Sequence, residues 1–279
     1  HTPDGAGEER ANLLSARLDL LLEMRTLSGA TATSDEVTAQ VRTINELAML
    51  RPQDETLLAK LEDQLIGLGQ LAGARVIARL RAQGATARGA DVGTQAERWL
   101  HVSERALALG DLRDVDASLN QAANLAPTSL PVLRAQVSLK QRAGQPEAEV
   151  EALLRLAGAE PQVEDAVRAE LAAAAVLSRS LRDETRARTL IQGALSRAQN
   201  VGSATAQAVA LLALIDLERA GGNDAEAEAA AQQALATKAA PAHRVGELNE
   251  FLGTRAQGRG DQRAAQAHME AALAAEPGR

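Results

Sequence analysis

The segment from Ala96 to Pro161 repeats its own pattern with a period of 34 residues, and this repeat limits the fold more than any other feature of the chain. Gly110 recurs as Gly144, and Pro127 recurs as Pro161. Self-similarity at such a period means that one supersecondary unit stacks on its own copy. In each copy, apolar residues at helical spacing flank the glycine, and the proline cannot continue a helical hydrogen-bond ladder. The repeat therefore predicts two stacked units of the form helix, turn, helix.

This pattern resembles the tetratricopeptide repeat (TPR) family, whose unit is a 34-residue helix-turn-helix. The residues that carry the resemblance are Trp99, Val102, Ser103, Ala106, Val115, Leu119, Ala122 and Pro127. The resemblance implies an all-α solenoid in which helical hairpins form a right-handed superhelix with a concave surface. It also places Trp99 in the core, at the large apolar position of the repeat. The chain departs from the family pattern at the aromatic positions, because it has no tyrosine and one phenylalanine.

Equivalent positions continue to the end of the chain at longer steps. They are Ala122, Leu156, Ala194, Ala234 and Ala272, which are 34, 38, 40 and 38 residues apart. An excess of about one helical turn over the 34-residue period indicates longer helices rather than long loops. We therefore predict a TPR-like array of five hairpins over residues 96–279.

The part of the chain before this array matches the TPR pattern weakly. Residues 1–83 carry helical apolar stripes and predict hairpins of the same general type. Thr33 and Glu36 resemble a capping box at the start of a helix. Residues 84–95 (GATARGADVGTQ) have no apolar periodicity, which predicts either a hinge or a loop of ordinary flexibility in a continuous superhelix.

Composition excludes several classes of function. The net charge of −7 argues against a nucleic-acid-binding array, which needs a basic surface. The longest apolar run, around 204–217, is interrupted by Gln207 and Asp216 and is too short to span a bilayer, so we expect a soluble chain without membrane insertion. The absence of cysteine excludes disulfides and cysteine-based metal sites, and it fits either the cytoplasm or the periplasm.

Residues suited to catalysis or metal binding are sparse in the sequence. His101 and Glu104 lie three residues apart on a predicted helix and could offer two metal ligands, but no further histidine or cysteine accompanies them. A solvated helix face is the simpler interpretation. No nucleophile stands beside a recognisable base. The sequence therefore predicts no metal site, no cofactor and no enzymatic activity.

The resemblance to TPR proteins also implies a candidate binding surface, because the family exposes fixed positions of each first helix on the concave side. The polar residues that fall on these positions are Glu104, Arg134, Ser138, Gln141, Arg142, Arg179, Asp216 and Arg219. We call the four arginines of this set the inner arginines. They are either solubilising residues, some of them paired with Asp216 or Glu104, or a groove for an acidic or C-terminal peptide segment, since guanidinium groups bind carboxylates in bidentate fashion.

The leading functional hypothesis is a non-catalytic scaffold that binds a peptide or protein segment in the concave groove. A second hypothesis is a regulatory, sensory or assembly segment of a larger signalling, secretion or envelope protein. It rests on the end at Pro277-Gly278-Arg279, where no polar helix caps the array, and this uncapped face would also permit self-association. A third hypothesis is an all-helical enzyme that uses Glu104 or Asp216. The sequence does not identify the partner.

Overall fold

The fold is entirely α-helical over residues 4–28 and 33–275, which the computed structural model describes. Fourteen helices occupy this part of the chain, without strands. They are α1 Asp4–Ser28, α2 Ser34–Leu50, α3 Glu55–Gly67, α4 Leu71–Ala87, α5 Val92–Ala108, α6 Leu112–Leu125, α7 Leu130–Arg142, α8 Pro146–Ala159, α9 Val163–Arg179, α10 Glu184–Val201, α11 Ala204–Ala220, α12 Asp224–Ala236, α13 Ala242–Gly258 and α14 Gln262–Ala275. The all-α fold class is confirmed. The predicted chain end at Pro277-Gly278-Arg279 lies outside the described residues.

The repeated residues of the sequence mark the ends of helices. Gly110 and Gly144 follow α5 and α7 with backbone φ angles of 72° and 61°. Glycine adopts this left-handed conformation without the steric cost that a side chain brings, and it commonly ends helices for that reason. Pro127 and Pro161 each lie two residues beyond the last residue of a helix. The period of 34 therefore reflects a recurring helix, turn, helix and stop.

Capping side chains fix where several helices begin. Thr33 and Glu36 form the predicted capping box: the Glu36 amide donates to Thr33 Oγ1 at 3.3 Å, and the Thr33 amide donates to Glu36 Oε2 at 2.8 Å. Asp91 caps α5 by accepting a hydrogen bond from the Thr94 amide at 2.9 Å. Such caps satisfy amides that have no partner inside the helix.

The stretch 84–95 is mostly helical, and the predicted loop is wrong except for residues 88–91. Helix α4 continues to Ala87, and within this stretch Gly84 packs closely on the turn after α2, where a Cβ atom would lie 3.3 Å from the Pro52 carbonyl oxygen. Ala85 is fully buried at the same place. Glycine and alanine build this helix turn without an apolar stripe, so the helical period is not visible in the sequence. The hinge stays a prediction.

Two compact units divide the chain, one of residues 1–139 and one of residues 140–279. The boundary between them falls within α7. In the first unit, α1 packs on α2, α3 on α4, α4 on α5 and α5 on α6. Its core contains Leu47, Leu58, Leu61, Leu65 and Ile77, and a second cluster joins Ala106, Val115, Leu119 and Leu139. Trp99 packs on buried Ala78, Ala82 and Val102, in agreement with its predicted place.

The second unit has alanine-lined contacts between its helices. Helices α8 to α14 pack in sequence, and α9 also packs on α11. One buried cluster consists of Val167, Ala194, Ala198, Ala206 and Ala210. The next consists of Leu211, Ile215, Ala230, Ala231, Ala234, Leu248 and Leu252. Small residues bring the helix backbones close together, and leucine and isoleucine fill the remaining space.

Gly253 allows a close approach between α13 and α14. A Cβ atom at this buried position would lie 3.0 Å from Met269 Cε and 3.4 Å from the Ala265 carbonyl oxygen. Gly193, in the middle of α10, is exposed, and a Cβ atom there would meet nothing within 4 Å. Both glycines therefore lie within helices, but Gly253 is packed against another helix and Gly193 faces solvent.

The same substitution at these two glycines should change stability in opposite directions. Gly253→Leu should lower the free energy of unfolding by about 1–3 kcal/mol, because the added side chain must push α14 away. Gly193→Leu should raise it by about 0.5 kcal/mol through better helix propensity. Urea unfolding followed by circular dichroism measures both. Equal shifts of the same sign would contradict the close approach of α13 and α14.

Candidate interaction surface

All eight residues of the predicted binding surface are exposed on helices. Glu104 lies on α5, Arg134, Ser138, Gln141 and Arg142 on α7, Arg179 on α9, and Asp216 and Arg219 on α11. Arg134 and Ser138 belong to the first unit, and Arg134 already interacts within the chain. The inner arginines of the second unit are Arg142, Arg179 and Arg219, and the candidate surface is described there.

Arg179 and Arg219 lie at the same end of two neighbouring helices. At the other end, the hydroxyl group of Ser203, the cap of α11, donates to Glu164 Oε1 in the first turn of α9 at 2.6 Å. The N-termini of α9 and α11 are therefore side by side, and the two helices pack on each other in the same direction. It follows that Arg179 and Arg219, both in last turns, project from adjacent helix C-termini.

The inner arginines of the second unit are not neutralised by carboxylates. Within residues 33–275, neither Arg142 nor Arg179 takes part in an ion pair, whereas many arginines between helices do. The Arg219 guanidinium lies over the ring of Phe251 on α13, 5.0 Å from its centroid. This cation–π contact positions the charge without cancelling it. A last-turn arginine also interacts favourably with the helix dipole, so each cation has a structural role as well.

The two acids of the predicted surface are engaged with other residues. Asp216 accepts a hydrogen bond from Arg244 on α13 at 2.7 Å. Glu104 lies 3.4 Å from Nδ1 of His101 on its own helix. Arg244 and Phe251 were missed by the sequence-based prediction, because each meets α11 from a helix about 30 residues further along and no local spacing links them. The only signal was that Phe251 is the single phenylalanine of the chain.

Solved structures with similar folds are mostly TPR proteins. The C-terminal part of a TPR repeat-containing protein from Cytophaga hutchinsonii superposes with a TM-score of 0.55 at 12% identity, covering 95% of this chain and 96% of that one. This chain has a TPR-like fold. A tetratricopeptide repeat protein from Parabacteroides merdae gives a TM-score of 0.45 at 16% identity, with 78% of each chain covered. YrrB, a TPR protein with an unusual peptide-binding site, gives 0.42 at 14% identity, with 66% of this chain and 87% of YrrB covered. No family model matches the sequence, and no curated protein matches it.

The first unit of this TPR-like chain contains a buried carboxylate, Glu62 on α3. It is 1% exposed and binds three groups: Arg81 Nη1 at 2.5 Å, His101 Nε2 at 2.6 Å and Arg105 Nε at 2.8 Å. Burial alone would raise the pKa of Glu62, but the hydrogen bonds from His101, Arg105 and Arg81 outweigh it and lower the pKa from 4.5 to about 2. The predicted solvated face around His101 is therefore wrong, since the half-buried imidazole faces Glu62.

The Glu62 cluster is a structural clamp between α3, α4 and α5. A strongly shifted pKa often marks a functional site, but here the carboxylate and its partners satisfy one another. Among the described residues, no group of three or more histidine, cysteine or acidic side chains could hold a metal ion. The helices in the same part of the chain include none with the length and apolarity that crossing a membrane requires.

The Glu62 clamp should make stability depend on pH. Because its folded-state pKa is depressed, the carboxylate stabilises the fold fully above about pH 4.5, and this contribution of about 3 kcal/mol is lost as the pH falls towards 2. Glu62→Gln should lower the free energy of unfolding at pH 7 by about 3–5 kcal/mol, since Arg81 keeps a buried charge. It should also weaken the pH dependence between 5 and 2.

Urea unfolding at pH 7, 4 and 3 measures both effects. Glu151→Gln on α8 removes an exposed carboxylate and is the matched control, which should keep the pH dependence of the unchanged protein. If Glu62→Gln behaved like this control, the clamp would not contribute to stability.

Proposed function

We propose that the chain is a non-catalytic interaction scaffold and that the surface carrying Arg142, Arg179 and Arg219 binds an acidic segment of another protein. The observation that carries the proposal is that these exposed cations have no carboxylate partner among residues 4–28 and 33–275, although the chain as a whole is acidic. Guanidinium groups bind carboxylates through two parallel hydrogen bonds, so an acidic segment would supply the counter-charge that these described residues do not.

The arrangement of α9 and α11 supports recognition of more than one carboxylate. Arg179 and Arg219 project from adjacent helix C-termini, so two acidic side chains, or one side chain and a terminal carboxylate, can be bound together. Phe251 lies against Arg219 and would offer an apolar contact to the same segment. Arg244 already neutralises Asp216, so this acid would not repel the ligand.

A peptide-binding measurement tests the proposal. The probe is a twelve-residue glutamate-rich peptide with a free C-terminal carboxylate, and its binding is followed by calorimetry at low and at physiological salt. Arg142→Glu with Arg179→Glu should weaken binding at least tenfold, because attraction becomes repulsion at two points of the surface. Affinity capture from a lysate with the same variant should lose the natural partner.

The control variant is Arg113→Glu with Arg263→Glu, which changes the net charge equally on α6 and α14. Both arginines are exposed, so the fold should tolerate the change. Binding should stay within about twofold of the unchanged protein. If both double variants weakened the peptide equally, the attraction would be non-specific. If neither did, and partner recovery were unchanged, the surface would not be the binding site.

A further inference from the structure

A cleft of about 510 Å³ opens in the second unit between α10 and α12. Its walls carry Arg188 and Gln192 from α10 and Glu226 and Gln233 from α12, and its floor is formed by Leu214 and Glu218 of α11. Both helices that form its walls are second helices of their hairpins. Its floor belongs to α11, the helix that also carries Arg219, but neither Arg179 nor Arg219 lines the cleft.

The cleft exists because small side chains leave the gap between α10 and α12 unfilled. Both helices pack on α11, but within the second unit as described they do not pack on each other. The wall formed by α12 presents only the methyl groups of Ala229 and Ala230 between Glu226 and Gln233. Pockets of a few hundred Å³ are the usual size of sites that enclose a ligand group.

The charges at the bottom of the cleft neutralise one another. Arg188 binds Glu218 through two hydrogen bonds, from Nε at 2.5 Å and from Nη2 at 2.8 Å. The Asn223 side-chain amide donates a third to Glu218 at 2.7 Å. These bonds lower the pKa of Glu218 although burial alone would raise it, so this 2% exposed side chain is a carboxylate. Because Glu218 neutralises the Arg188 guanidinium, Arg188 does not make the cleft a site for anions.

The polar groups that remain available at the walls are one carboxylate and two side-chain amides. Glu226 is exposed and forms no ion pair or side-chain hydrogen bond within residues 33–275. The lining thus carries one cation, Arg188, and two anions, Glu218 and Glu226, which is a net charge of −1. The side-chain amides of Gln192 and Gln233 make no hydrogen bond to the described part of the chain, and their carbonyl oxygens can accept from a ligand.

We infer that this cleft binds a cationic side chain, the guanidinium group of an arginine presented by a partner protein. Glu226 is the counter-ion, and the amide oxygens of Gln192 and Gln233 accept the remaining guanidinium hydrogens. Leu214 and the alanines of α12 contact the aliphatic part of the arginine side chain. The ligand chemistry is opposite to that of the surface around Arg179 and Arg219, so the two sites can be tested independently.

An NMR titration of the ¹⁵N-labelled protein tests this inference. The probe is a nine-residue glycine- and serine-based peptide, blocked at both ends, with one central arginine, and its counterpart carries citrulline, which has the same shape without the charge. The side-chain amide signals of Gln192 and Gln233 should shift saturably with the arginine peptide. The dissociation constant of the citrulline peptide should be at least tenfold larger. Absence of a saturable shift at millimolar peptide would overturn the site.

Two matched pairs of variants separate the cleft from general attraction to an acidic protein. Glu226→Gln should weaken the arginine peptide at least fivefold, whereas Glu151→Gln, with the same loss of charge on α8, should stay within twofold. Ala229→Leu should abolish binding by filling the cleft with all charges intact, whereas Ala225→Leu on the same helix should not. Equal effects within either pair would contradict the inference. Circular dichroism checks that each variant is folded.

Discussion

Alanine and glycine at the helix–helix contacts are the constraint on which the structure depends. Ala106, Ala187, Ala194, Ala227 and Ala231 are completely buried, and each allows a neighbouring helix to lie close. Alanine buries little apolar area, so at about 25 cal/mol per Å² a single hairpin gains modest stabilisation. A repeat array overcomes this because each hairpin also shares a contact with the next one. The pattern of small and large residues repeats every thirty-four residues because these contacts between hairpins repeat.

Ion pairs between helices complement the apolar contacts within each unit. Arg75 binds Asp111 at 2.8 Å, Arg188 binds Glu218, and Arg255 binds Asp224 at 2.8 Å. Glu62 and Glu218 are nearly inaccessible, and removal of their arginine partners would leave a buried carboxylate without its counter-charge. These pairs therefore favour one arrangement of neighbouring helices over others. The arginines that remain outside such pairs, among them Arg142 and Arg179, are the ones that the proposed function uses.

The second unit presents opposite charges at two places, because some of its arginines are neutralised in ion pairs and others are not. The C-terminal ends of α9 and α11 present cations. In the cleft between α10 and α12, Glu218 neutralises Arg188, and Glu226 is the charge that the cleft presents. We propose an acidic segment as the ligand of the first site and an arginine side chain as the ligand of the second. A scaffold with two sites of opposite preference can bring two different partners together, which a single groove does not achieve.

The helices, turns and stops were predictable because their causes are local. Gly110 and Gly144 need a left-handed backbone, and Thr33 and Glu36 cap a helix within four residues. The missed features have causes that are distant in the chain. Glu62 is bound by His101 and Arg105, about 40 residues away, and no spacing in the sequence signals such a meeting. Helix α4 was cut short in the prediction because Gly84 and Ala85 are buried without forming an apolar stripe. Exposure of the eight surface residues followed from the TPR resemblance, whereas the engagement of Asp216 by Arg244 did not.

The size limit at the alanine contacts can be measured directly with one substitution. Ala194 is completely buried among Val167, Ala198, Ala206 and Ala210, and Ala172 on α9 is exposed. Urea unfolding of Ala194→Leu and Ala172→Leu compares the same change in the two environments. We expect Ala194→Leu to lower the free energy of unfolding by about 1–3 kcal/mol and Ala172→Leu to change it by less than about 0.5 kcal/mol. A neutral or stabilising effect of Ala194→Leu would contradict the account, because it would mean that close helix approach through alanine does not hold the array together.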